Sequence, residues 1–213
     1  MNDENKGAHE LEMTRFRYDP ERLSHEPHLI PYRGTVPTVH RSVFLADGSR
    51  IIGDVVLDEM VSVWYNAVIR GDVHSVRIGR GTNIQDNCVI HVSHDTDPAT
   101  VGADVTVGHG AIVHSCTIED CCLIGMGATV LDRAIVRSDS MVAAGALVPP
   151  GYEVPSGMLV GGVPARVMRE LTAEERASIA GSAAHYREYA GESMKALRGG
   201  GSYRRGSGGD LLA

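Results

Sequence analysis

From Ile118 onward the chain falls into consecutive blocks of six residues, IEDCCL, IGMGAT, VLDRAI, VRSDSM, VAAGAL, VPPGYE, VPSGML and VGGVPA, each opening on Ile or Val. The fifth place of the first five blocks holds Cys122, Ala128, Ala134, Ser140 and Ala146, all small, while the second and third places are mostly glycine or polar. Self-similarity at a short fixed period predicts a solenoid. One block cannot bury its branched residue alone, but stacked coils can, pairing strands about 4.8 Å apart. The branched first residue fills the interior and the small fifth residue fits the turn. Upstream, LDEMVS, VWYNAV, IGRGTN and IQDNCV keep the phase, with breaks at 70–77 and 92–100 where loops are expected to leave the coil.

The remaining composition agrees with such a core. Two Phe and one Trp leave it to be built from Val and Ile. The four cysteines include the adjacent pair Cys121 and Cys122 and no CxxC, which suits neither a disulfide framework nor a zinc ribbon. Cys88, Cys116 and Cys122 fall on fifth places and are read as small buried thiols. A net charge of −7 without a long basic run excludes a nucleic-acid or anionic-membrane surface and leaves small molecules or other subunits as partners. No apolar run approaches the roughly 20 residues of a membrane span, and the polar start lacks a secretory core, so a cytoplasmic protein is expected.

After Val167 the period changes. Thr172 followed by Glu174 and Glu175, then Ile179, Ala183, Tyr186 and Ala190, predicts a helix over 169–198, with Gly181 and Gly191 as places where it breaks or kinks. The expected organisation is a flexible segment over 1–30, a repeat domain over 31–168, the helix, and a disordered Gly/Ser-rich tail over 199–213.

Hexapeptide repeats of this kind resemble the left-handed parallel β-helix family, in which three faces close a triangular coil. The implied fold class is all-β with an appended C-terminal helix. Five of the ten histidines, His74, His91, His94, His109 and His114, fall in one stretch of this coil. His91 and His109 are 18 residues apart, three blocks, which places them to first order on neighbouring coils at one corner. His109 and His114 are read as the third places of consecutive faces, pointing outward and diverging by roughly 120° on a triangular coil.

The motifs IRGD at 69–72, NIQDNCVIH at 83–91 and VGHGAIVHSCTI at 107–118 resemble the γ-class carbonic anhydrase family over residues 39–197. That resemblance implies reversible hydration of carbon dioxide to bicarbonate, with zinc held by His91, His109 and His114; iron(II) or cobalt(II) would suit the same imidazoles. It implies a homotrimer with metal sites between subunits, an Arg70 and Asp72 pair at the subunit boundary, and Gln85 orienting the attacking water with Asp86 beside it. Tyr186 resembles a site tyrosine of some relatives, or is a packing aromatic. Some members carry a Glu after the Arg-x-Asp and another in an acidic loop after the first His. Here Val73 stands in the first place and the loop reads VSHDTDPAT, so a slow enzyme is expected unless His94 or Asp95 substitutes as proton carrier. Two other readings stay open: acyl transfer or thioester hydrolysis, because VGGVPARVMREL resembles the coil end in transferases too, and a catalytically silent metal-binding assembly subunit.

Overall fold

The computed structural model of the chain describes residues 28–94 and 96–198. Very short parallel strands stack in three columns. The first runs Phe44–Leu45, Ser62–Val63, Asn83–Ile84, Thr106–Val107, Leu123–Ile124, Met141–Val142 and Met158–Gly162. The second carries Val89–His91, Ile112–His114, Thr129–Val130 and Leu147–Val148. The third carries Ala99–Val101, Thr117–Ile118, Ile135–Val136 and Glu153–Val154. Two long strands, Arg50–Leu57 and Val68–Ile78, turn the corner and belong to both the second and the third.

The strands are short because a left-handed residue closes each block. Asn66, Asn87, Asp104, Asp139, Cys121 and Arg133 all have φ between 54° and 60°, and Gly110, Gly127, Gly145, Gly151 and Gly157 occupy the same fourth place with φ of 66° to 74°. Asn, Asp and Gly tolerate this conformation best, which explains their recurrence there. Between these corners Val107, Val113, Ile118, Ile124, Val130, Val136, Val142, Val148, Val154 and Val160 are completely buried and form the interior column. Cys88, Cys116 and Cys122 are buried beside them, and burial pushes the three thiols up to about 11, 12 and 12. Cys121 is only half-buried.

Because Ile124 meets the coils on both sides, Ile124→Ala is expected to lower unfolding stability by about 2–5 kcal/mol, against about 0.5 kcal/mol or less for Met126→Ala, which is 59% exposed. Denaturant midpoints check the pair, and equal midpoints would contradict the interior stack.

Several expected boundaries move. Leu29–Ile30 pair with Ile51–Ile52, so the ordered coil begins inside the segment expected to be flexible; residues 1–27 and 199–213 lie outside the described residues. At the other end, Ala165–Glu170 turns back as an antiparallel strand on Met158–Gly162, and helix α1 spans Ala173–Arg198 rather than beginning at 169. Thr172 caps it reciprocally: its Oγ1 accepts the Glu175 N–H (3.2 Å) and the Glu175 carboxylate accepts the Thr172 N–H (2.9 Å). Hydrogen bonds from Arg169 and Thr172 hold the Glu175 carboxyl down at about 2. The helix runs unbroken through Gly181 and Gly191. Ile179, Ala183 and Ala190 are buried on the faces of the first column, and this packing outweighs the weak propensity of two glycines.

Candidate functional site

The break at 70–77 is not a loop but a bulge within the 11-residue strand Val68–Ile78. Gly53 pairs with Gly71 and Val55 with Val76, so Asp54 alone on one strand faces Asp72–Ser75 on the other. Strands approach so closely at its base that a Cβ on Gly71 would lie 2.4 Å from the Asp54 carbonyl oxygen, and one on Gly53 would lie 2.4 Å from that of Gly71. The extra length carries Asp72 out of the ladder toward the next coil.

On that coil His91 stands in register with Arg70, and His114 stands in register with His91. The pairing corrects two expectations. His91 stacks on His114 rather than on His109, because residues 92–98 lengthen the intervening coil beyond three blocks. His114 occupies the second place of its block, not the third: Val113 is the buried residue and Ile112 is 41% exposed. Five residues rather than six separate Val113 from Ile118, and Ser115 absorbs the shortening with a φ of 41°.

These side chains form one polar chain. The Arg70 guanidinium contacts Asp72, and the other Asp72 oxygen is 3.1 Å from His91 Nε2. His91 Nδ1 lies 3.2 Å from His114 Nε2, and His114 Nδ1 lies 3.1 Å from Asp132 Oδ2, whose second oxygen accepts the Ser93 hydroxyl. Burial pushes both carboxyls up. For Asp72 the bonds from Arg70 and His91 outweigh it, for Asp132 those from Ser93 and His114, and both end below the usual carboxylate range. Burial, with Arg70 and His114 nearby, holds His91 below its ordinary value against the pull of Asp72, favouring the neutral ring.

His109 lies at a different corner. Its Nδ1 is 2.6 Å from Asp86 Oδ2, and its backbone N–H donates to Gln85 Oε1 at 3.1 Å. Gln85 is almost fully buried and donates through Nε2 to Asn83 Oδ1 (3.1 Å), while Asn83 donates to Thr106 Oγ1 (2.9 Å). Asp86 also accepts the Tyr65 N–H (3.3 Å). Tyr186, on α1, lines a cleft together with Asp86 and meets Trp64 edge to face at 5.4 Å. Burial, and then the charge of Asp86, push its phenol up. His94 is exposed on the 92–98 loop, and Asp95 lies outside the described residues.

The chain thus brings together Arg70, Asp72, His91 and His114 at one corner, and Gln85, Asp86, His109 and Tyr186 at the other. Among the described residues no group of three His, Cys, Asp or Glu side chains is arranged to hold a metal ion. The pair His91–His114 nevertheless fits one. Two donors on a tetrahedral zinc, each about 2.0–2.1 Å from it, stand roughly 3.3 Å apart, and these nitrogens are 3.2 Å apart. Each ring has its other nitrogen held by a carboxylate, the arrangement that fixes the tautomer of a metal-binding histidine. His109 is likewise held through Nδ1 by Asp86, which leaves Nε2 as its metal donor.

Asp132, Ser93 and Asn83 were not found from the sequence. Asp132 had no clean spacing signal: Val113 pairs with Val130, so this coil is 17 residues long, Leu131 stands in register below His114, and Asp132 reaches the ring from one place further on. Asn83 precedes Gln85 by two, which puts both side chains on one side of an extended strand.

No protein-family model matches the chain. It is 44% identical over 189 residues to "Gamma carbonic anhydrase 1, mitochondrial" of Arabidopsis thaliana, covering 84% of this chain and 69% of that protein. It is 43% identical over 147 residues to "Carbonic anhydrase" of Geobacillus kaustophilus, covering 69% and 80%. A solved hexapeptide transferase family protein from Anaplasma phagocytophilum superposes with a TM-score of 0.74 at 42% identity, covering 77% of this chain and 96% of that one.

Proposed function

Since the chain belongs to the γ-class carbonic anhydrase family, we propose that it catalyses reversible hydration of carbon dioxide to bicarbonate with zinc as its cofactor. The acting form is a homotrimer in which His91 and His114 of one subunit and His109 of the next share the metal. The observation that carries this reading is the 3.2 Å approach of His91 Nδ1 and His114 Nε2, each ring backed by a carboxylate. Bound zinc supplies positive charge that makes a water acidic enough to attack near neutral pH.

The protein groups do the rest. Asp72 and Asp132 orient two imidazoles through one ring nitrogen each, and Arg70 keeps Asp72 ionised and in place. Asp86 orients His109. One Gln85 N–H is used by Asn83, which fixes the amide plane and leaves the second to aim the attacking water. Tyr186 walls the approach beside Asp86. Among the described residues no helix is long and apolar enough to cross a membrane, and a cytoplasmic location is part of the same proposal.

Metal analysis after anaerobic purification, followed by a carbon dioxide hydration assay on the same sample, tests the reading. One zinc per subunit with hydration activity supports it. Iron or cobalt in its place would change the cofactor and keep the reaction. The likeness to a hexapeptide transferase family protein keeps acyl transfer as the second reading, and a metal-free protein that turns over an acyl thioester would establish it. Zinc without hydration would instead assign a silent assembly subunit.

Proton export is the weak step. Val73 stands where some relatives carry Glu, and the loop 92–98 contains none. The hydration rate is therefore expected to be low and to rise with added imidazole, which replaces the missing base. A high rate indifferent to buffer would contradict this and point to His94 or another relay.

A further inference from the structure

An open cleft of about 440 Å³ lies between α1 and the corner that carries Asp86. Trp64, Tyr65, Tyr186 and Tyr189 wall it, with Asp86 and Glu192. The whole sequence has only two Phe, one Trp and seven Tyr, so four rings in one cleft are a marked concentration. They stand as walls rather than as a stack. Trp64 and Tyr186 meet at 84° with centroids 5.4 Å apart, Tyr186 and Tyr189 at 76° and 5.7 Å, and Trp64 and Tyr65 at 58° and 6.3 Å. Tyr186, Tyr189 and Glu192 follow at three-residue spacing on α1, which sets them along one side of the helix. Tyr65 and Tyr189 are still about half exposed, at 47% and 49%. The indole N–H of Trp64 is given to Ser62 Oγ at 3.1 Å, so what this ring offers the cleft is π surface.

Steeply inclined ring faces together with carboxylates, and no Lys or Arg in the lining, select one kind of guest. The faces carry negative quadrupole and attract a cation placed within about 6 Å of the centroid. An anion is repelled by the same lining. A bare metal ion would need several oxygens converging on it, and one of the two carboxylates, Asp86, is occupied by His109 at 2.6 Å. Glu192 therefore supplies the attracting charge. We propose that this cleft binds a small organic cation, a quaternary or protonated amine of the trimethylammonium type, held by the four rings and by Glu192. The cleft borders the proposed hydratase site and shares Asp86 and Tyr186 with it, but the binding proposed here requires neither zinc nor hydration.

Trp64 is the single tryptophan, so its emission reports on this cleft alone. The full chain is titrated with choline and, separately, with dimethylbutanol, the neutral carbon isostere. Choline is expected to change the emission saturably, with the isostere at least about threefold weaker. Glu192→Gln should weaken choline by about two- to fivefold and leave the isostere unchanged, and Tyr189→Ala should weaken choline at least as much. Glu192 and Tyr189 are exposed on the helix, so neither variant disturbs the core. No saturable response, an isostere that binds as well as choline, or unchanged choline affinity in both variants would overturn the assignment.

Discussion

Gln85→Ala is expected to retain its zinc and to lose roughly 30- to 1,000-fold in carbon dioxide hydration, the about 2–4 kcal/mol that one positioned hydrogen-bond donor contributes to a transition state. The geometry separates the two readouts. Gln85 touches neither His91 nor His114; its side chain is spent on Asn83 and on the backbone N–H of His109, both at 3.1 Å. Removing it frees a main-chain donor without taking away an imidazole, while the Asp86 contact still holds the His109 ring. If Gln85 acted mainly by holding the His109 backbone, metal content would fall together with the rate. Metal analysis of the variant thus decides between an orienting and a structural role, and loss of zinc would refute the orienting one. Asn83→Ala, which unfixes the amide but keeps it, should show the same pattern in smaller degree.

The interior of the coil was legible because each buried position repeats a demand for a branched aliphatic, and ten such residues from Val107 to Val160 are fully buried. The left-handed fourth place was equally present in the sequence, as Asn, Asp or Gly in most blocks, but it is visible only once the turn is known to fall there. Stacking was harder. Equal sequence spacing gives vertical neighbours only when coils have equal length, and at the corner beside His91 they do not. Asp72–Ser75, the loop 92–98 and the shortened step from Val113 to Ile118 change the count on three successive coils. Hence the 18-residue rule paired His91 with the wrong histidine, and it does not place Asp132 below His114 either, because the shortened step makes that coil 17 residues long and Asp132 reaches the ring from one place further on. The helix start was misplaced because the strand Ala165–Glu170 returns antiparallel, a local pairing that a six-residue period cannot announce.

Mixing inactive His109→Ala and His91→Ala chains in equal amounts is expected to restore about a quarter of the metal sites. The reason lies in the placement of the histidines along one coil. His109 sits in the turn after Thr106–Val107, and His114 ends the strand Ile112–His114 on the following face. The chain turns a corner at Gly110 (φ 68°) between them, so the two side chains leave the coil on different faces, whereas two donors on one ion stand only about 3 Å apart. One subunit can offer His91 with His114, or His109 with Asp86, but its own corners do not meet on one ion. In a cyclic trimer each interface joins two different corners, so a site is intact when the chain offering His91 and His114 carries His109→Ala and its neighbour carries His91→Ala. Random assembly makes that ordered pair at one interface in four. Activity and zinc should therefore reappear together in the mixed sample and in neither parent. If trimers verified by mass contain both chains, each variant folds, and the mixture still binds no zinc, the site is not shared and the three histidines do not form it.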